Sequence, residues 1–160
     1  MIIEQRKVNK MDNTYKVTTH GDSETIEVAQ NIESEKFPNM VICLNGDLGS
    51  GKTVFAKGFA SAMAIDDITS PTFNIIKEYV GELPLYHMDV YRTNGKVDSL
   101  GLEEYFDKGG VTIIEWAEMI PDILPKERLD ITFKIVGEDT RVMVIEPHGE
   151  KYIRVCEDAL

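Results

Sequence analysis

Residues 41–53 read VICLNGDLGSGKT, and this segment decides what kind of fold the chain adopts. Residues 41–44 form a continuous apolar run, which is typical of a strand covered on both faces. Residues 46–53 then match the pattern G-x-x-x-x-G-K-S/T at every fixed position. In residues 52–63 apolar side chains recur at every fourth position, which predicts a helix packed on that strand. The segment therefore predicts a buried strand, a glycine-rich loop and a helix in direct succession.

The loop carries the residue types that bind phosphate. Gly46, Gly49 and Gly51 permit positive φ angles, so backbone N–H groups turn inward at the start of a helix, where an anion is favoured. Lys52 supplies a positive charge to the β- and γ-phosphates. The hydroxyl of Thr53 is suited to ligate Mg²⁺. We therefore predict a site for a nucleoside triphosphate with its metal ion.

Hydrolysis of a triphosphate also needs an acid near the metal and a group that orients the attacking water. Glu115 ends the apolar run of residues 111–115, and it is either a metal-binding acid or an ordinary strand end. We favour the metal-binding acid, because no other acid closes so apolar a run. Asp89 lies near the end of another predicted strand, where it either serves the γ-phosphate or is merely solvated.

Two more polar residues near the predicted site have two interpretations each. Asp47 is either a turn residue or a carboxylate facing the γ-phosphate, and we favour the turn because a negative charge beside a triphosphate costs energy. Thr72 follows Thr53 at about the spacing of the switch segments in P-loop GTPases. Either Thr72 senses the γ-phosphate and Mg²⁺, or its segment is a turn leading into a strand.

Composition excludes several classes of function. The 160 residues carry 17 Lys and Arg against 28 Asp and Glu, so the formal net charge is -11, which disfavours a nucleic-acid binder that acts alone. No apolar run reaches the ~20 residues that span a bilayer, and residues 1–7 lack a signal-peptide core. We expect a cytoplasmic protein without a membrane partner. Scattered Cys and His residues predict reduced thiols and no structural zinc.

The remaining pattern predicts one three-layer α/β domain with a mixed sheet and a C-terminal antiparallel meander. We expect a disordered N-terminal tail over residues 1–13 and a single folded domain over residues 14–160. A first helix is predicted at 24–32, and further helical segments at 100–106 and 116–123. Further strands are predicted at 72–79, 85–90, 111–115, 129–136, 141–146 and 152–155.

Five sequence blocks, taken in order, resemble the TsaE family, the small bacterial P-loop ATPases of tRNA threonylcarbamoyladenosine biosynthesis. The glycine-rich loop alone would indicate only a superfamily, but the His-x-Asp-x-Tyr-Arg and Glu-Trp blocks behind it are more specific. The blocks are 46–53 (GDLGSGKT), 70–73 (SPTF), 86–92 (YHMDVYR), 101–106 (GLEEYF) and 114–116 (IEW). The resemblance covers about residues 20–145.

The resemblance implies a P-loop NTPase-like fold with ATP and Mg²⁺ as cofactors. It implies that Thr53 and Glu115 bind Mg²⁺ and that Asp89 is needed for activity. It also places Asp22 and Gly137 near the adenine. The loop residues that this resemblance assigns to ATP are Asp47, Leu48, Gly49, Ser50, Gly51, Lys52, Thr53 and Val54.

The first hypothesis is a Mg²⁺-dependent ATPase subunit required for threonylcarbamoyladenosine formation at position 37 of tRNAs that read codons beginning with A. Family members work with TsaB and TsaD, so the chain is expected to meet tRNA only through such a complex. Lys52 binds phosphate in this hypothesis, while Asp89 and Thr72 orient water or sense the γ-phosphate. Slow hydrolysis by the isolated chain is expected, because the sequence places no arginine as a finger and a partner would have to complete the site.

Two alternative functions would use the same loop. A small-molecule kinase usually covers the transferred phosphate with an arginine-rich lid, whereas the arginines of this chain are dispersed. A non-hydrolysing interaction module would bind ATP and a partner only. Glu115 and Asp89 argue against the module, since binding alone needs fewer carboxylates near the γ-phosphate.

Overall fold

The structure is a computed structural model that describes residues 8–71 and 74–160. Thr72 and Phe73, which belong to the predicted switch-like segment, lie outside the described residues, as do residues 1–7. Among the described residues, no helix combines the length and the apolar character that crossing a membrane requires.

One mixed sheet runs through the described residues. Its strands are β1 (Val8–Met11), β2 (Thr14–His20), β3 (Val41–Gly46), β4 (Ile76–Tyr79), β5 (Leu85–Asp89), β6 (Val111–Glu115), β7 (Arg128–Ile135) and β8 (Thr140–His148). Their order across the sheet is β1-β2-β8-β7-β3-β6-β5-β4. The pairs β7-β3, β3-β6 and β6-β5 are parallel, and the remaining neighbours are antiparallel. A parallel centre is thus flanked by antiparallel strands.

Each face of the sheet has its own apolar core. Helices α1 (Asp22–Glu33), α2 (Lys52–Ala62) and α3 (Glu150–Ala159) contribute to the core that contains Ile42 and Leu44 of β3. The other core contains Val41 and Cys43 together with side chains from short 3₁₀ turns. The turns that contribute are Leu102–Asp107, Ala117–Met119 and Pro121–Ile123, and a further 3₁₀ turn spans Tyr91–Thr93. Alternate residues of β3 therefore face opposite layers, and the predicted α/β fold with a mixed sheet is confirmed.

The predicted last strand, residues 152–155, is wrong. These residues lie in α3, whose buried side chains Tyr152, Val155 and Cys156 follow a helical spacing of three and four. A short apolar run does not separate the two periods well. The antiparallel part of the sheet is instead completed by the N-terminal strands β2 and β1, which pair beyond β8.

Two other local predictions are corrected. The segments predicted as helices at 100–106 and 116–123 form only 3₁₀ turns, and Pro121 prevents the second from continuing as one helix. The predicted disordered tail is wrong for residues 8–11, which form β1 and pair with β2. β1 is exposed along its whole length, so it carries no apolar alternation by which the sequence would reveal a strand.

The topology brings the candidate residues to one edge of the sheet. In the register of the parallel strands, Glu115 of β6 lies opposite Leu44 of β3 and Asp89 of β5. β2 ends and β8 begins at the same edge, since His20 pairs with Thr140. Ligands of open α/β sheets bind outside the carboxyl ends of the parallel strands. The loop after β3 and the two acids therefore meet where such a site is expected.

Candidate functional site

The glycine-rich loop turns tightly from β3 into α2. Gly46, Gly49 and Gly51 have φ angles of 136°, 77° and 114°, as the motif requires. A Cβ atom on Gly46 would lie 2.7 Å from the carbonyl oxygen of Phe133, so no larger residue fits there. In the described part of the chain no side chain caps α2, which leaves its first N–H groups available to an anion.

Ser50 gives an independent indication of a phosphate site. Its hydroxyl oxygen is buried and has no hydrogen-bond partner among the residues that the structure describes. A buried hydroxyl without a partner costs about 1–3 kcal/mol, so a group beyond the described residues is expected to satisfy it. A phosphate oxygen held by the loop accepts such a bond, and the residues present therefore fit a phosphate ligand.

Lys52 is a buried cation held inside the loop. Its Nζ donates hydrogen bonds to the carbonyl oxygen of Gly46 and, at 3.0 Å, to that of Asp47, and it lies 3.9 Å from the ring centroid of Trp116. Burial lowers the pKa of Lys52, whereas the neighbouring carboxylate of Glu118 acts to raise it.

The Asp47 side chain is exposed, and its backbone carbonyl also accepts the Ser50 N–H at 3.1 Å, in the geometry of a turn.

The Glu115 carboxylate is held from two sides. Thr53 Oγ1 donates to Glu115 Oε1 at 2.8 Å, and His87 Nε2 lies 2.6 Å from Glu115 Oε2. Glu115 is 2% exposed and His87 is fully buried. The hydroxyl and carboxylate oxygens are the ligand types that Mg²⁺ prefers, so this donor set fits the metal. No sequence motif indicates the contact of His87, although His87 and Asp89 share one face of β5 by their spacing of two.

Asp89 is anchored by its own strand end and by the segment before β4. Its Oδ1 accepts the backbone N–H of Tyr91 at 3.0 Å, and its Oδ2 accepts the hydroxyl of Ser70 at 3.4 Å. Ser70 immediately precedes Pro71, so the structure connects the beginning of the predicted switch-like segment to Asp89. A carboxylate fixed in this way can hold a water molecule in one orientation.

Most of the predicted residues line a single cavity of about 550 Å³. Asp22 lines it from the start of α1, whereas Gly137 does not line it and lies in the adjacent β7–β8 turn. The lining residues are Gly21, Asp22, Thr25, Leu48, Gly49, Ser50, Gly51, Lys52, Thr53, Val54, Ser70, Asp89, Glu115, Trp116, Glu138, Asp139 and Arg141. Loop residues 48–54, both acids and Asp22 thus line one cavity, whereas Asp47 does not line it and Thr72 lies outside the described residues.

Arg141 is a lining residue that the sequence analysis did not identify. Its Nη1 donates to the carbonyl oxygens of Gly137 and Glu138 at 3.0 and 3.2 Å, and its Nη2 donates to that of Gly49 at 3.4 Å. The guanidinium therefore ties the β7–β8 turn to the phosphate-binding loop. No local pattern marks this residue, because its position depends on β8 returning antiparallel to β7.

The charges around the cavity favour an anion that carries a divalent cation. The described lining contains five carboxylates, those of Asp22, Asp89, Glu115, Glu138 and Asp139, against the two cations Lys52 and Arg141. Within the described residues, no group of three or more His, Cys, Asp and Glu could hold a metal ion by itself. In proteins Mg²⁺ is usually held by one or two carboxylates together with phosphate oxygens of the substrate.

Comparisons with known proteins identify the family to which the chain is similar. The family described as "Threonylcarbamoyl adenosine biosynthesis protein TsaE" matches residues 19–143. The chain is 47% identical to the TsaE protein of Bacillus subtilis over 142 residues, which cover 88% of this chain and 90% of that protein. It is 42% identical to the TsaE protein of Borreliella burgdorferi over 114 residues, or 68% and 81% of the two chains.

A solved structure shows the same fold. The crystal structure of Bacillus subtilis YdiB superposes with a TM-score of 0.81 and 42% sequence identity, covering 97% of both chains. Another curated relative, the TsaE protein of Treponema pallidum, is 39% identical over 114 residues, which cover 66% of this chain and 80% of that one. The matched region includes the loop, Asp89 and Glu115.

Proposed function

The chain belongs to the TsaE family of tRNA threonylcarbamoyladenosine biosynthesis proteins, and we propose that it acts there as a Mg²⁺-dependent ATPase subunit. One observation carries the proposal. The hydroxyl of Thr53 at the start of α2 donates to Glu115 at the end of β6 at 2.8 Å, beside the phosphate-binding loop. A triphosphate-binding loop, a hydroxyl and an acid in contact are the parts that P-loop hydrolases use to hold a nucleotide and its metal.

Each group in the site has a distinct task in this proposal. The loop N–H groups, Ser50 and Lys52 bind the phosphates, and Thr53 and Glu115 hold the metal. When bound, Mg²⁺ offsets the charge of the phosphates and polarises the phosphoryl group. The excess of carboxylates around the cavity supports a need for Mg²⁺, because these carboxylates would repel a triphosphate that carried no metal ion.

Asp89 is proposed to orient the attacking water. Its two oxygens are already fixed by the Tyr91 N–H and the Ser70 hydroxyl, so the carboxylate does not need to reorganise during the reaction. We also keep Thr72 as a proposed sensor of the γ-phosphate, since it follows Ser70 in the chain by two residues. Asp22 and Gly137 remain the proposed neighbours of the adenine.

The partners are proposed to be TsaB-like and TsaD-like proteins, with tRNA contacted only through their complex. The net charge of -11 supports this division, since a basic surface for tRNA is expected on another subunit. Arg141, a cation in the cavity, is held by backbone carbonyls, so we expect slow hydrolysis until a partner completes the site. We place this work in the cytoplasm, where ATP and tRNA are present.

Release of phosphate from ATP tests the enzymatic part of the proposal. The chain is assayed alone and with purified TsaB and TsaD proteins, in Mg²⁺ and in EDTA. We expect slow Mg²⁺-dependent hydrolysis that the partners stimulate, and an Asp89→Asn variant that binds ATP but does not hydrolyse it. Absence of hydrolysis under every condition would favour the interaction module, and a specific phosphorylated metabolite would favour the kinase.

Pull-down experiments test the proposed partners. The tagged chain is incubated with cytoplasmic extract with and without Mg-ATP, and retained proteins are identified by mass spectrometry. We expect a TsaD-like protein to be retained in a nucleotide-dependent manner. A tight, salt-sensitive complex of the isolated chain with tRNA would contradict the indirect role that we assign to tRNA.

A further inference from the structure

We infer that His87 is a positioning residue that holds the Glu115 carboxylate in the orientation needed to receive Mg²⁺. This inference rests on the proposed function, because it concerns the same metal site. His87 is not one of the residues that line the cavity, and its Nε2 lies 2.6 Å from Oε2 of Glu115, which does line it. It therefore acts through Glu115.

The environment of His87 explains why this bond is informative. His87 is fully buried on β5, and Leu85 on the same face of that strand belongs to the core beneath the helices. From the neighbouring strand β6, Val111 and Ile113 enter the same core. An apolar side chain at position 87 would pack in these surroundings without any desolvation cost. A buried imidazole here is accounted for by the carboxylate that it contacts.

The proton arrangement follows from the partner. We assign the proton of the imidazole to Nε2, because this nitrogen faces Glu115 Oε2 and a carboxylate oxygen accepts hydrogen bonds. The other ring nitrogen, Nδ1, has no hydrogen-bond partner among the described residues. Within this part of the chain, the hydrogen bonding of the imidazole is thus directed at Glu115 alone.

Two hydrogen-bond donors fix the orientation of the Glu115 carboxylate, which a single donor would leave free to rotate. The terminal torsion of a glutamate side chain is soft, so a carboxylate held at one oxygen swings readily. Thr53 holds Oε1 from the helix side, and His87 holds Oε2 from β5, which defines the plane of the carboxylate. Loss of such an outer hydrogen-bond partner typically lowers metal affinity about 10–100-fold. We expect that reduction when the donor at Nε2 is removed.

A matched pair of variants isolates the donor. The amide nitrogen of glutamine lies as far along the side chain as Nε2, whereas that of asparagine reaches only as far as Nδ1. His87→Gln is therefore expected to retain the bond to Glu115, and His87→Asn to lose it. Thr112→Val serves as a control, because Thr112 is also buried on the neighbouring strand and its hydroxyl has no partner in the described residues.

Calorimetry with a non-hydrolysable ATP analogue measures binding without turnover. Each protein is titrated in EDTA and at increasing Mg²⁺, and thermal unfolding checks that it is folded. The ring centroid of Trp116, the single tryptophan of the sequence, lies 3.9 Å from Lys52 Nζ. The fluorescence of Trp116 therefore provides a second readout of binding. We expect His87→Asn to raise the Mg²⁺ concentration that gives half-maximal enhancement of analogue binding about 10–100-fold. Affinity in EDTA is expected to change less than about threefold, and His87→Gln to remain near wild type.

The outcomes separate the inference from the function on which it rests. If the wild-type chain shows Mg²⁺-dependent binding and His87→Asn behaves like Thr112→Val, the inference alone is overturned. If His87→Asn weakens binding equally with and without Mg²⁺, or His87→Gln fails as fully as His87→Asn, a general packing role replaces it. If the wild-type chain shows no Mg²⁺ dependence, the proposed function fails and the inference fails with it.

Discussion

Parallel and antiparallel strands both contribute residues to the cavity at the carboxyl ends of the parallel strands, but these residues differ in kind. The parallel strands β3, β6 and β5 end in the loop, Glu115 and Asp89, which stand in motifs that can be recognised locally. The antiparallel strands β8 and β2 lead to Arg141 and to the start of α1, where no motif marks the contact. The residues proposed to bind phosphate and metal thus follow the parallel strands, whereas the antiparallel strands close the cavity around them.

The largest effect is expected on the parallel side, for Lys52→Ala. Among the described residues, Lys52 is one of two cations that line a cavity with five carboxylates. Without it, the negative charge of these carboxylates repels the phosphates more strongly. Charged hydrogen bonds are each worth about 1.5–3 kcal/mol, so the loss of two such bonds to the phosphates should weaken Mg-ATP binding at least ~100-fold. Calorimetry measures the change, with the exposed Lys57 on the same helix as the control position, Lys57→Ala. Tight Mg-ATP binding by Lys52→Ala would refute the phosphate site.

Glu115→Gln is expected to have the next largest effect. The substitution keeps the shape but removes the charge that faces Thr53, so metal binding weakens while the loop N–H groups remain. The Mg²⁺ concentration for half-maximal nucleotide binding should rise roughly 10–100-fold. Titration of Mg²⁺ at fixed analogue concentration measures it, and affinity in EDTA should not fall. An unchanged Mg²⁺ requirement would remove Glu115 from the metal site.

A smaller effect is expected on the antiparallel side, for Arg141→Ala. Without the guanidinium, the β7–β8 turn is no longer tied to Gly49, and the cavity loses one of its cations. We expect nucleotide affinity to fall about 3–10-fold, corresponding to a hydrogen bond or two. Arg141→Lys should not restore it, because one ammonium group cannot replace the forked guanidinium. The control is Arg154→Ala on α3, and equal affinities for the two alanine variants would confine the binding site to the parallel strands.

Tyr152→Phe should lower the free energy of unfolding and leave ATP binding unchanged, because Tyr152 lies outside the cavity. Its hydroxyl accepts the Val41 N–H at 2.8 Å, far along the strand from the loop, so its loss should cost about 1 kcal/mol of unfolding free energy. Burial raises the pKa of Tyr152 from 10.0 to about 12. The unfolded chain therefore ionises first, and the stability that Tyr152 adds is present below pH 10 and is lost as the pH rises to about 12. Urea unfolding of both proteins across this range measures the difference, and weaker ATP binding by Tyr152→Phe would contradict the separation.

The sequence predicted the parts of the molecule whose pattern is local. β3 and β6 are short apolar runs buried on both faces, and residues 111–115 form a strand with the bounds that were predicted. Residues 152–155 were assigned wrongly, since three buried side chains in a short segment fit either period. The contacts of His87 and Arg141 could not be predicted, because each requires the register between strands that are distant in sequence.

The lengths of the outermost strands have a consequence for the behaviour of the protein in concentrated solution. In the described residues both edges of the sheet are four-residue strands, β1 and β4, and each carries a lysine, Lys10 or Lys77. Short, lysine-bearing edges discourage the pairing of one sheet with another. A chain that began at Thr14 would instead present the seven-residue β2 as its edge. Strand β1 is therefore expected to protect the domain against aggregation by covering β2.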